Sequence, residues 1–269
     1  MGKREIITAI AVAGIVIFGL IILLIARLQP PEPVTPTPQG PKVIKIGAIL
    51  QLTGDMAIFG ESFKKGIDMA VEVINTAGGI QGRKVKIIYE DDAAKAKLAV
   101  SAFRKLITQD KVQAVIAGGM SSTAMSIAPI AEENKVVIIS PTASAPALSE
   151  FKDYFFRIQA SDNYEGRVMA EFAYKELGAR EVGIFYVNND WGRGLAEVFK
   201  DRFTMLGGKV PIMESHELGD TDFKTQITKI KTVNPENLYL IGYLQEMSII
   251  LRQMRELGLK PRILSTYGF

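Results

Sequence analysis

The residues best equipped for chemistry in this 269-residue chain sit in two loops. In "AVIAGGMSSTAMS" the apolar run 114–117 opens into Ser121, Ser122 and Thr123, and in "KVVIISPTASAP" the run 136–139 opens into Thr142 and Ser144. Hydroxyl side chains are short, neutral donors and acceptors, so a surface built from them suits a carboxylate or another small oxygen-rich group. Singly, such residues also cap helices and close turns; two loops furnished alike favour a ligand. Covalent chemistry has little to work with. The one histidine, His216 in "MESHELGD", falls on a strand end, where a solvent-facing side chain is expected, and there is no cysteine. The G-x-S-x-G, H-E-x-x-H, Walker and G-x-G-x-x-G patterns are absent. Asp91 and Asp92 follow a strand and point different ways, which suggests helix capping rather than a metal site. No cofactor or metal is expected.

Strand-like and helix-like patterns must position those loops. "VIKIGAIL" reads as a strand, and Phe63, Ile67, Ala70, Val71 and Ile74 recur at helical spacing until Gly78 and Gly79 end the helix. The alternation continues with the strand "KVKIIYE", a helix around 93–107, the strand 114–117, a helix around 122–133 and the strand 136–139. After "YFFRIQASD" it restarts: helix 164–177, strand "VGIFYV", helix 192–206, strand "KVPIME", helix 223–231, strand "NLYLIGY", helix 246–257 and strand "RILST". This predicts two α/β lobes, 43–160 and 161–269, each a doubly wound parallel sheet. In such sheets ligands bind outside the carboxyl ends of the strands, where both hydroxyl loops lie. Helix N-termini there add unpaired N–H groups that favour an anion.

Apolar residues make up 48% of the chain, enough for real cores, and the net charge of +3 forms no basic stripe, which argues against nucleic acid. Residues 6–26 are apolar apart from Thr8 and follow Lys3 and Arg4. Their 21 residues reach roughly the 30 Å of a hydrocarbon core, too long for an ordinary cleaved signal. Residues 1–28 therefore read as an uncleaved membrane anchor, or as a signal segment of a secreted or periplasmic form if cleaved. The basic residues keep the short side in the cytoplasm and place the remainder outside the cell membrane. Residues 29–42 hold six of the twelve prolines and read as a semi-rigid polyproline spacer of roughly 40 Å. The protein is expected to sediment with membranes, and protease cutting within 30–41 to release a soluble two-lobed fragment. Recovery from the native host of a secreted form beginning near Gln29 would overturn that expectation.

Four stretches carry a resemblance. "IKIGAILQLTGDMAIFGESFKKGIDMAVEVINTAGGIQGRKVKIIYEDD", "GGMSSTAMSIAPIAEENKVVIISPTASAPAL", "YVNNDWGRGLAEVFKDRF" and "DTDFKTQITKIKTVNPENLYLIGYLQEMSIILRQMRELGL" look like the leucine/isoleucine/valine-binding family of type I periplasmic binding proteins. The similarity runs from Val43 to the last residue. It implies two α/β lobes that close on a ligand like a clamp, in a receptor that serves the permease subunits of an ABC importer. By the same resemblance Ser121, Ser122, Thr142 and Ser144 hold a ligand's carboxylate and amine from the first lobe. Phe59 forms an aromatic wall, Trp191 covers the ligand, Tyr243 lines the pocket, and Asp162 matches an aspartate that some members turn towards an ammonium group. Trp191, between an Asn-Asn-Asp turn and glycines, is not expected in a core.

Two departures follow. Tyr267 occupies the place of the acid that binds the ammonium in branched-chain amino-acid binders. Either Asp162 replaces that acid, or the ligand has no ammonium, as with a carboxylic acid, an amide or a urea-like compound. Family members also continue for about another hundred residues, so the resemblance implies that the C-terminal part of the fold is missing and both lobes incomplete. The alternative to transport is a membrane-tethered ligand sensor of the same fold, and a nucleotide-cofactor α/β enzyme is a distant third.

Overall fold

Runs rich in β-branched and aromatic residues form strands and the amphipathic runs between them form helices, along residues 43–267 described by the computed structural model. The first set is β1 (Val43–Leu50), α1 (Ala57–Thr76), β2 (Lys84–Asp91), α2 (Ala96–Thr108), β3 (Ala114–Ile116), α3 (Ser121–Asn134), β4 (Val137–Ser140) and β5 (Phe155–Arg157). Its strands lie in the order β2-β1-β3-β4-β5, every neighbouring pair parallel. The second set is α4 (Asp162–Glu171), β6 (Gly183–Val187), α5 (Asp190–Met205), β7 (Met213–His216), α6 (Lys224–Val233), β8 (Asn237–Ile241), α7 (Leu244–Glu256) and β9 (Arg262–Ser265). These strands are also all parallel, in the order β7-β6-β8-β9.

Parallel strands need helical crossovers, and those helices bury the sheet. Every residue of β8 is buried accordingly. The first sheet packs Ile49, Val115 and Ile138 against Phe103 and Leu106 of α2 and Ile127 of α3. The second has a core on each face. Phe199 and Phe203 of α5 meet Tyr239 on one side, and Phe223, Ile227 and Met247 meet Phe185 and Leu240 on the other. Helix α1 buries only Gly60, and its Ile58, Met69 and Val73 are exposed.

The structure departs from the sequence reading at several points. The strand expected over 209–214 forms only at Met213–His216; before it, Lys209 makes a lone bridge to Glu181, and Pro211 has no N–H to continue a ladder. Strand β5, three residues long, lies within the "YFFRIQASD" stretch, to which the sequence reading assigned no element. The helix expected at 164–177 starts at Asp162 and passes into a π-helical turn at Phe172–Glu176. Asp91 and Asp92 do not cap α2, which starts after Lys95 without a side-chain cap. Instead the Asp91 carboxylate accepts from the backbone N–H groups of Leu52, Thr53 and Ala93 and ties the loop after β1 to the end of β2. His216 is buried between Phe185 and Phe223 rather than facing solvent. The apolar run 6–26 and the proline-rich segment lie outside the described residues. Among the described residues no helix is long and apolar enough to cross a membrane.

Candidate functional site

In each sheet the chain leaves a central strand in both directions, from β1 to β2 and β3 and from β6 to β7 and β8. The loops after the two central strands and their outward neighbours diverge there, leaving a crevice at the carboxyl ends. A cavity of about 220 Å³ opens at these points. The end of β1 supplies Gln51, the loop after β3 supplies Gly119, Met120 and Ser121, and the loop after β4 supplies Thr142 and Ser144. Opposite them stand Trp191 from the start of α5, Tyr243 at the end of the β8 loop and Tyr267 beyond β9, with Phe59 and Phe63 of α1 along one side.

The hydroxyl loops are locked together before any ligand arrives. Ser140 donates its Oγ proton to the Gly118 carbonyl at 2.7 Å, and Thr142 donates to the Gly119 carbonyl at 2.8 Å. Ser121 Oγ accepts from the backbone N–H groups of Ser144 and Ala145 at 3.3 and 3.2 Å. Those two bonds occupy its lone pairs, so its own O–H proton is left to donate into the cavity. The residue before α3 is Met120, which offers no side-chain cap, so the first N–H groups of the helix share that opening. Arg157 donates to the carbonyls of Ser144 and Ala145, both at 3.0 Å, and pins the far end of the loop.

The aromatic side is positioned as tightly. Asn189 caps α5 by accepting from the Gly192 N–H at 2.9 Å, and its amide donates to the Tyr243 hydroxyl at 3.2 Å. This brings the Trp191 and Tyr243 rings to 5.0 Å between centroids. A Cβ at Gly192 would lie 2.1 Å from the Val187 carbonyl, so only glycine lets α5 start this close to the end of β6. Because α5 begins at Asp190, Trp191 falls in its first turn and is 4% exposed, packed with the second-sheet core while one face lines the cavity. The tryptophan is therefore a core residue as well as a cavity wall, contrary to the sequence reading.

Asp162 and Ser122 do not line the cavity. Asp162 is fully buried one layer behind it, where Ser144 Oγ donates to its Oδ2 at 3.0 Å. The same Ser144 oxygen lies 2.8 Å from the Tyr267 hydroxyl, making a chain from Asp162 through Ser144 to Tyr267. Burial raises the Asp162 carboxyl to about 7, against the opposing pull of the Ser144 hydrogen bond, with neighbouring Glu165 raising it further and Arg157 lowering it. Glu165 is itself raised to about 6 by burial. The Tyr267 phenol is pushed up to about 12, chiefly by burial, and burial also lifts Tyr239 well above its ordinary value. With Asp162 ionised, Ser144 donates to it and Tyr267 donates to Ser144, so a phenol lone pair faces the cavity. With Asp162 protonated the chain can reverse and present the Tyr267 O–H proton instead. Among the described residues the lining carries no charged side chain. Sequence reasoning missed Gln51, Phe63, Gly119 and Met120; Phe63 was read only as part of the helical stripe of α1, and an isolated glutamine after a strand carries no periodic signal.

Residues 43–269 match the profile of the family described as periplasmic binding protein. The chain belongs to this family. It is 34% identical over 226 residues to the Leu/Ile/Val-binding protein homolog 3 of Brucella melitensis, across 84% of this chain and 61% of that protein. Among solved structures it resembles LivJ, the branched-chain amino acid transporter substrate binding protein of Streptococcus pneumoniae in complex with isoleucine. That likeness has 30% identity and a TM-score of 0.76, over 84% of this chain and 65% of LivJ. A solute binding protein of an ABC transporter from Rhodopseudomonas palustris, in complex with p-hydroxybenzoic acid, is 25% identical with a TM-score of 0.73, over 83% of this chain and 61% of its own. The chain thus spans about three fifths of the length of the curated relatives it matches. The parallel-sheet α/β architecture is that of the periplasmic binding proteins.

Proposed function

We propose that this member of the family is an extracytoplasmic solute-binding receptor of an ABC importer, holding a small amino acid or an amide- or carboxylate-like ligand between lobes 43–160 and 161–269. The observation that carries the reading is the cavity at the two sheet switch points. On one side Ser121, its hydroxyl lone pairs taken by two loop N–H groups, and the uncapped start of α3 border the cavity; on the other, Trp191 and Tyr243 form an aromatic face. The first side supplies donors for a carboxylate or amide oxygen, and the second takes an apolar or aromatic body. The names of the relatives point the same way. ABC permease subunits are the proposed partner, with tethering through residues 1–28 on the outer face of the membrane. On this reading Ser121, Thr142 and Ser144 serve the polar end of the ligand and Phe59, Trp191, Tyr243 and Tyr267 its body, with Asp162 behind Ser144 tuning the charge.

Ser121→Ala tests the polar side. The variant loses a charge-assisted donor and the acceptor for two loop N–H groups, so ligand affinity is expected to fall by about 1.5–3 kcal/mol, roughly ten- to a hundredfold. Titration calorimetry with the best ligand from a screen of amino acids, amides and carboxylic acids gives the value. Unchanged affinity would make the loop purely structural.

A further inference from the structure

One polar side chain in the cavity has no structural employment. Gln51, immediately after β1, is 1% exposed, and neither its Oε1 nor its Nε2 has a hydrogen-bond partner among the described residues. Buried carboxamides are almost always bonded, because an orphaned donor or acceptor loses its water without replacement. Here the chain nevertheless makes room for one. A Cβ at Gly119 would lie 2.4 Å from Gln51 Oε1 and 2.8 Å from Nε2, and Gly119 has no positive φ to demand glycine on backbone grounds. The missing side chain at Gly119 is thus space filled by the carboxamide. That space adjoins the start of α3, so the amide lies beside the donors already assigned to the ligand's oxygen.

We propose that Gln51 is a specificity-determining ligand contact, donating from Nε2 to the ligand's carboxyl or amide oxygen and accepting at Oε1 from an adjacent N–H. The inference rests on the cavity's being the ligand site, and it narrows the ligand to compounds that carry an oxygen acceptor next to an N–H donor. Plain carboxylic acids satisfy only the Nε2 end and leave Oε1 unpaired, a penalty that matched donors and acceptors avoid.

The test uses the whole chain with Gln51→Met, which keeps the volume and removes both polar atoms, and Gly119→Ala, which displaces the carboxamide without changing it. L-leucine, L-leucinamide and 4-methylpentanoate are the probes, read by calorimetry, with thermal melts of the ligand-free proteins. Gln51→Met is expected to weaken L-leucine and L-leucinamide roughly tenfold or more, and 4-methylpentanoate by less. Gly119→Ala should reproduce that order. The ligand-free Gln51→Met protein should melt about 2–4 °C higher, since an orphaned amide has been removed. Unchanged affinities, an equal loss for all three probes, or a lower melting temperature without ligand would overturn the assignment. If the wild-type chain binds none of the three, the proposed ligand class fails, and a lowered ligand-free melting temperature of Gln51→Met would still overturn the role of Gln51 separately.

Discussion

Trp191→Ala is expected to lower the unfolding free energy by about 3–5 kcal/mol and to remove measurable ligand binding. The indole belongs to the core built from Leu195, Phe199 and Tyr239 on the second sheet, and its other face closes the cavity against Tyr243. Truncation therefore opens a void in the packing and strips the aromatic surface from the ligand in one step. Trp191→Phe separates the two effects. It retains an apolar ring and most of the core packing, so its stability should fall by much less than that of the alanine variant, while the reduced ring area still weakens binding. Denaturant titration and calorimetry on the pair give both numbers. Full affinity in Trp191→Ala would confine this side chain to the core.

Asp162→Asn is expected to stabilise the ligand-free protein by about 2–4 kcal/mol at pH 8, with the gain shrinking towards pH 4. The direction follows from the carboxyl being raised to about 7 in the fold, from 3.8, by burial. Between those values the folded state binds more protons than the unfolded one, so wild-type stability falls as pH rises from about 4 to about 7 and stays lower above. The asparagine side chain does not ionise and escapes that fall. Glu165, Arg157 and the Tyr239 and Tyr267 phenols face the same group, and the raised Glu165, at about 6, adds a smaller slope of the same sign. Ligand binding should show the complementary signature. An α-amino acid whose ammonium depends on ionised Asp162 binds more tightly as pH passes upward through about 7, and Asp162→Asn abolishes its binding. A ligand with a carboxylate and no ammonium shows the opposite slope, and above pH 7 it binds the variant at least as tightly as the wild type. In that second case Tyr267→Glu supplies the countercharge and creates affinity for amino acids. Flat pH profiles for both ligand types would remove Asp162 from the binding chemistry.

These residues also show where the sequence is readable. The two hydroxyl loops were legible because each follows a short apolar strand, and the first also opens helix α3, an arrangement that periodicity and the geometry of parallel sheets specify together. The alternation of strands and helices into two parallel sheets was legible for the same reason. The burial of Trp191 was not, because the Asn-Asn-Asp sequence was read as a turn; Asn189 as the cap of a helix starting at Asp190 was the available signal. Asp162 was found by resemblance alone, and its place behind Ser144 depends on how α4 packs under the 140s loop, a tertiary fact. Gln51 gave no sequence signal, since its significance lies in bonds that its surroundings fail to make.

The central claim is that the cavity between Ser121 and Trp191 takes a small ligand with a carboxyl or amide oxygen and an apolar body. A thermal-shift screen of the chain against L-leucine, L-leucinamide, 4-methylpentanoate, 4-hydroxybenzoate, glucose and adenosine tests it most directly, because a ligand that binds only the folded state raises the melting temperature. The account predicts a rise with the amino acid or its amide that is reduced in Ser121→Ala at the same ligand concentration. A melt shifted only by glucose or adenosine would contradict it.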